Sequence, residues 1–186
     1  MTIEELNTAL DYVDHTREKR TQMAKLVLDN PNTIQPLLAI IGLEKIPLSS
    51  RAAWILELVI RQESNLIYPY INSFSLLLST ISLNSSVRPM AKICEILAHS
   101  YYSKTPNQSK NDITKKHLER ITTCCFDWLI GDYKVAAKAY AMTTLLLVGK
   151  EFEWVHPELK IILEQNYVNG SAAYKARARM TLKKIK

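Results

Sequence analysis

A serine-led block recurs along this chain, and the recurrence restricts the fold more than any other feature of the sequence. SSRAAWILELVIR (residues 49–61) sets the pattern: serine, arginine, small apolar residues, then a long aliphatic run. SSVRPMAKICEILA (85–98) repeats it, and DYKVAAKAYAMTTLLLV (132–148) and GSAAYKARARMTLKKI (170–185) echo it more loosely. Alignment of the blocks sets Arg51, Arg88, Ala136 and Ala173 in register, with Trp54, Ala91, Ala139 and Ala176 three residues further on. The offsets are 37, 48 and 37 residues, and a polar insertion at residues 103–112 accounts for the longer middle interval. A repeated unit of this length cannot bury its apolar face alone, so copies must stack on one another.

The segments between the blocks read as partner helices. Thr2 with Glu5 forms a capping box ahead of an apolar stripe at Ile3, Leu6, Leu10 and Val13. A second run from Thr16 sets Met23, Leu26, Val27 and Leu28 on one face and stops at Asp29-Asn30-Pro31. These two helices are expected to cap the stack. TIQPLLAIIG (33–42) predicts a short helix closed by a left-handed Gly42. Ser49 or Ser50 is placed to cap the next helix, which is apolar all round and therefore buried.

Residues 66–81 predict one helix, paired with a helix over 86–104 that carries Pro89 in its first turn. Residues 103–112 predict a surface loop. Helix resumes near Ile113 and stops at Gly131, and Asp132 opens a helix that Gly149 ends. His156-Pro157 starts another, and Ser171 caps the last. No strand periodicity occurs. The reading is an all-α chain, one domain over residues 1–186, with about four helical pairs behind an N-terminal capping pair.

Charge is uneven along the chain. The net charge is +6, and residues 171–186 hold six basic residues and no acidic one. The rest of the chain is formally neutral, with 18 basic and 18 acidic residues. In the last helix Lys175, Arg179, Lys183 and Lys186 form a basic stripe beside an apolar one at Tyr174, Ala178, Leu182 and Ile185. Cys94, Cys124 and Cys125 make no C-x-x-C pair and lie in apolar runs, which predicts buried thiols in a reducing compartment. The N-terminal segment lacks the apolar core of a signal peptide, and no run reaches the roughly 18 apolar residues of a membrane span. A cytoplasmic protein is expected.

The units resemble HEAT repeats. Ser86-Val87-Arg88 and Asp132-Tyr-Lys-Val135 carry the resemblance, each leading an alanine-rich second helix. The tetratricopeptide and ankyrin signatures are absent. The resemblance covers roughly residues 33–186 and implies an armadillo-type superhelix, right-handed, whose second helices line a concave face. The runs RAAWILE, VRPMAKICE, CFDWLIGD, KVAAKAYAM and SAAYKARAR also make the chain similar to a family of short bacterial HEAT-like proteins. Members of that family sometimes carry the name adenylosuccinate lyase. That enzyme class has an S-S-x-M-P-x-K-x-N catalytic loop on a much longer chain, and nothing here matches the loop.

Function is less sharply written. Lys92, Lys138, Lys175 and Arg179 fall on the second helices, where a basic stripe would receive an acidic peptide or a phosphate backbone. Arg51 and Arg88 suit an inter-repeat ladder instead. Trp54, Trp128 and Trp154, with Asp127, invite comparison with HEAT-like DNA glycosylases, but Asp127-Trp128 falls on a first helix, and core or rim packing is the expected role. The histidines are scattered, and the one acid–histidine pair at helical spacing, Glu95 with His99, lacks a third convergent group. No catalytic residue, metal ligand or cofactor motif is found. The expected function is a non-catalytic interaction module for a protein or peptide. A nucleic-acid-binding protein related to HEAT-like DNA glycosylases, with contact through the basic last helix, is the alternative, and adenylosuccinate lyase activity a distant third.

Overall fold

The computed structural model describes residues 3–185. Those residues form eleven α-helices and no strand. In chain order they are α1 (Ile3–Asp11), α2 (Arg17–Asp29), α3 (Ile34–Gly42), α4 (Leu48–Gln62), α5 (Ile71–Leu77), α6 (Asn84–Tyr101), α7 (Ser109–Asp112), α8 (Lys115–Ile130), α9 (Val135–Val148), α10 (Val155–Tyr167) and α11 (Ala172–Leu182). The expected Thr2 cap and the end of the basic stripe at Lys186 lie outside the described residues.

The four helices that carry the repeated block pack side by side, α4 on α6, α6 on α9 and α9 on α11. Their partners form a second row: α3 packs on α4 and α5, α5 on α8, α8 on α9, and α10 against both α9 and α11. α1 and α2 close one end against α3 and α4. The buried apolar side chains make one cluster from Leu6 to Ala178. α4 sits within it with Ala52, Ala53, Ile55, Leu56, Val59 and Ile60 fully buried, as its all-round apolar sequence requires. Leu26 does not join this cluster: it is exposed, while Met23, Ala24 and Val27 carry the buried face of α2.

Several elements depart from the sequence-based expectation, each for a local reason. Gly42 is helical, and the left-handed residue is Glu44, with φ of 51°. The Glu44 carboxylate accepts the N–H groups of Ser82 (2.7 Å) and Leu83 (2.9 Å), contacts that hold it there. Ser49 and Ser50 lie inside the first turn of α4 and do not cap it. Ser49 donates its hydroxyl to the Ile40 carbonyl at 2.7 Å and accepts the Lys45 N–H, while Ser50 bonds Ser85 of α6.

Residues 66–81 break into a 3₁₀ turn (Ser64–Tyr70), α5 and a second 3₁₀ turn (Leu78–Thr80). Asp132 is no cap. The Asn84 side chain accepts the Lys134 N–H at 3.0 Å and α9 begins only at Val135. The polar insertion is an ordered turn with α7 in it: Asn107 donates to the Ser100 carbonyl and accepts from the buried Ser109 hydroxyl. Ser171 caps α11 as expected, its hydroxyl accepting the Tyr174 N–H.

Candidate interaction surface on the repeated helices

The row α4, α6, α9 and α11 holds eight basic residues and two acidic ones, Glu57 and Glu95. Its partners α3, α5, α8 and α10 hold four of each. Both carboxylates of the first row are buried, at 4% and 6% exposure. A carboxylate leaves water only if its charge is matched, and each is matched locally. Glu57 bonds Arg61 on its own helix at 2.6 Å and Arg88 of α6 at 2.6 Å. Glu95 bonds Lys92 at 2.6 Å, not His99. An approaching ligand therefore meets no exposed carboxylate on these four helices.

The four lysines and arginines picked from the sequence have different surroundings. Lys92 is engaged within the fold, since its ammonium also lies 4.8 Å from the Tyr140 ring centre. Lys138 lines a cleft of about 230 Å³ with Tyr133, Asn166 and Ser171, where α9 and α11 begin. Arg179 donates its Nε to the Tyr167 hydroxyl at 3.3 Å and lines a separate hollow with Glu164 and Val168. Lys175 is half-buried on α11 and lines neither. These side chains do not converge in one pocket.

Arg51 and Arg88 tie helices together. Arg51 reaches Asp11 (3.1 Å) and the Leu10 carbonyl (3.3 Å) at the end of α1, and Arg88 crosses from α6 to Glu57 of α4. A third cross-helix contact runs from Arg177 of α11 to the Thr143 hydroxyl of α9 at 3.4 Å. Sequence reasoning passed over Arg61 and Arg177. The signal for Arg61 was present, because Glu57 is the one acid in an apolar helix and Arg61 stands at i+4.

The tryptophans pack separately. Trp128 is buried in the core, and Trp154 stacks on Phe126 with ring centres 5.4 Å apart. Trp54 donates its indole N–H to the Ser85 carbonyl at 3.1 Å.

No family model, no curated protein and no solved structure matches the chain.

Among the described residues no three His, Cys, Asp or Glu side chains gather to hold a metal ion, and no helix is long and apolar enough to cross a membrane. Cys94, Cys124 and Cys125 are free and buried. Burial, reinforced by the neighbouring thiols, pushes Cys124 up to about 12 and Cys94 well above the ordinary thiol range. Their thiolates, the reactive form, are suppressed. His117 is also taken, its Nδ1 accepting the Thr114 N–H in a capping box at the start of α8.

Proposed function

We propose that the protein is a non-catalytic HEAT-like helical-repeat module that binds an acidic segment of a partner protein along the face of α4, α6, α9 and α11. The charge asymmetry between the two helical rows carries this reading. Eight basic residues stand on one row, and its only two carboxylates are buried and neutralised, while the other row is balanced. Arg51, Arg61, Arg88 and Lys92 are held in ion pairs, which leaves Lys138, Lys175, Arg177 and Arg179 to face a partner. Such a surface steers and holds negative charge without a competing carboxylate of its own. Partly exposed Leu58, Tyr140, Leu146 and Leu147 interleave with the basic residues, which suits a peptide with both acidic and apolar side chains better than a bare phosphate backbone.

Fluorescence anisotropy with a labelled acidic peptide tests the proposal. Lys138→Glu with Lys175→Glu is expected to weaken binding by about tenfold or more. Equal affinity of the double variant and the wild type would overturn it. A duplex DNA arm separates the alternative. Tight DNA binding that falls by about 10³–10⁵ between about 50 and about 200 mM salt would reassign the surface to nucleic acid, with α11 as its centre.

A further inference from the structure

A pocket of about 440 Å³ opens on the same row where α6, α9 and α11 end. Its size falls within the range of small-molecule sites, roughly 300–1,000 Å³. Leu146 and Leu147, from the last turn of α9, give it an apolar lining. Four side chains able to carry positive charge stand around them: His99 from α6, Lys150 just past α9, His156 from α10 and Lys184 just past α11. No carboxylate lines it, and none of the four makes an ion pair among the described residues.

The wall is held in place. His156 donates its Nε2 proton to the Leu146 carbonyl at 2.9 Å. Gly149 lets the ring approach so closely, since a Cβ there would overlap the imidazole. On the other side Thr143, which also lines the pocket, accepts from Arg177. An apolar lining under a rim of two lysines and two imidazoles, with no carboxylate, matches a ligand with a hydrocarbon body and an anionic head.

We propose that this pocket binds a small aliphatic carboxylate, its hydrocarbon against Leu146 and Leu147 and its head at Lys150 and Lys184. The pocket shares Leu146 and Leu147 with the acidic-partner surface but contains neither Lys138 nor Lys175, so the lysine variants of the two tests differ and either proposal can fail or hold without the other.

Octanoate is the probe, titrated into the full chain while leucine methyl and histidine ring signals are followed by NMR. Saturable shifts at Leu146, Leu147, His99 and His156 are expected, with octanol at least about tenfold weaker and acetate not saturating. Lys150→Glu with Lys184→Glu should weaken octanoate by about tenfold or more. Both lysines are exposed, and the milder Lys150→Gln, Lys184→Gln pair repeats the measurement if the first pair lowers the melting temperature. The proposal is overturned if no saturable shift occurs up to about 10 mM, if octanol binds as well as octanoate, or if the lysine variants bind octanoate unchanged. Any of these would leave the lysines as complements to the helix C-termini alone.

Discussion

Pro89 lies inside α6 and cannot donate to the carbonyl four residues back, that of Ser85. Trp54 of α4 donates its indole N–H to that same carbonyl at 3.1 Å, so a helix defect in one block is repaired by a side chain of the preceding one. Trp54→Phe keeps an aromatic ring and removes the donor. It is expected to cost about 1–3 kcal/mol, read by urea denaturation. The loss should shrink when Pro89→Ala restores the intrahelical donor, which a double-mutant cycle measures. His117 makes a pH prediction. Burial first, then Arg120, lowers its pKa from the ordinary 6.5, so the folded protein binds fewer protons than the unfolded chain just below that pH. Stability is then fully present above pH 6.5 and declines as pH falls through the window down to the lowered folded value. His117→Gln can keep the capping contact without titrating. Its melting temperature should fall less than that of the wild type between pH 7 and about pH 5.

At the scale of elements, the longer helices were legible, while the short α7 within the polar insertion and the interruption of residues 66–81 were not. Apolar runs, Ser171 as a cap and glycine at the ends of α8 and α9 are local signals, and the structure keeps them. Residues 66–81 read as one helix because their apolar residues recur at helical spacing. Pro69 lacks the N–H an α-turn would use, and the Ser79 and Thr80 hydroxyls bond the Leu76 and Leu77 carbonyls, so both ends tighten to 3₁₀. α4 is the element with least tolerance, because it is packed by α2, α3 and α6 at once. Leu56→Asp would place a carboxylate among fully buried side chains with no partner. The expected outcome is loss of the folded state at room temperature, seen as loss of helical circular dichroism or of a cooperative melt. Leu58→Asp, on the partly exposed side of the same helix, should remain folded.

At the scale of the whole molecule, charge and packing are arranged together. The basic residues of four separate blocks fall on one row of helices because the blocks stack in order, α4 to α6 to α9 to α11. The acidic-partner test through Lys138 and Lys175 belongs to this scale, since neither residue makes a site alone. By itself the sequence determined the all-α class, the repeated helices that pack together, the burial of α4 and of the three thiols, and the concentration of net charge after residue 170. Those follow from periodicity and composition, which are properties of neighbours along the chain. Only the tertiary structure decided that Lys92 is bound to Glu95 and Tyr140, that Arg88 neutralises Glu57, that Trp54 completes α6, and that His99, Lys150, His156 and Lys184 share one pocket. Each of these depends on distance between residues remote in sequence or on which face a side chain takes, and both are set by how the helices pack.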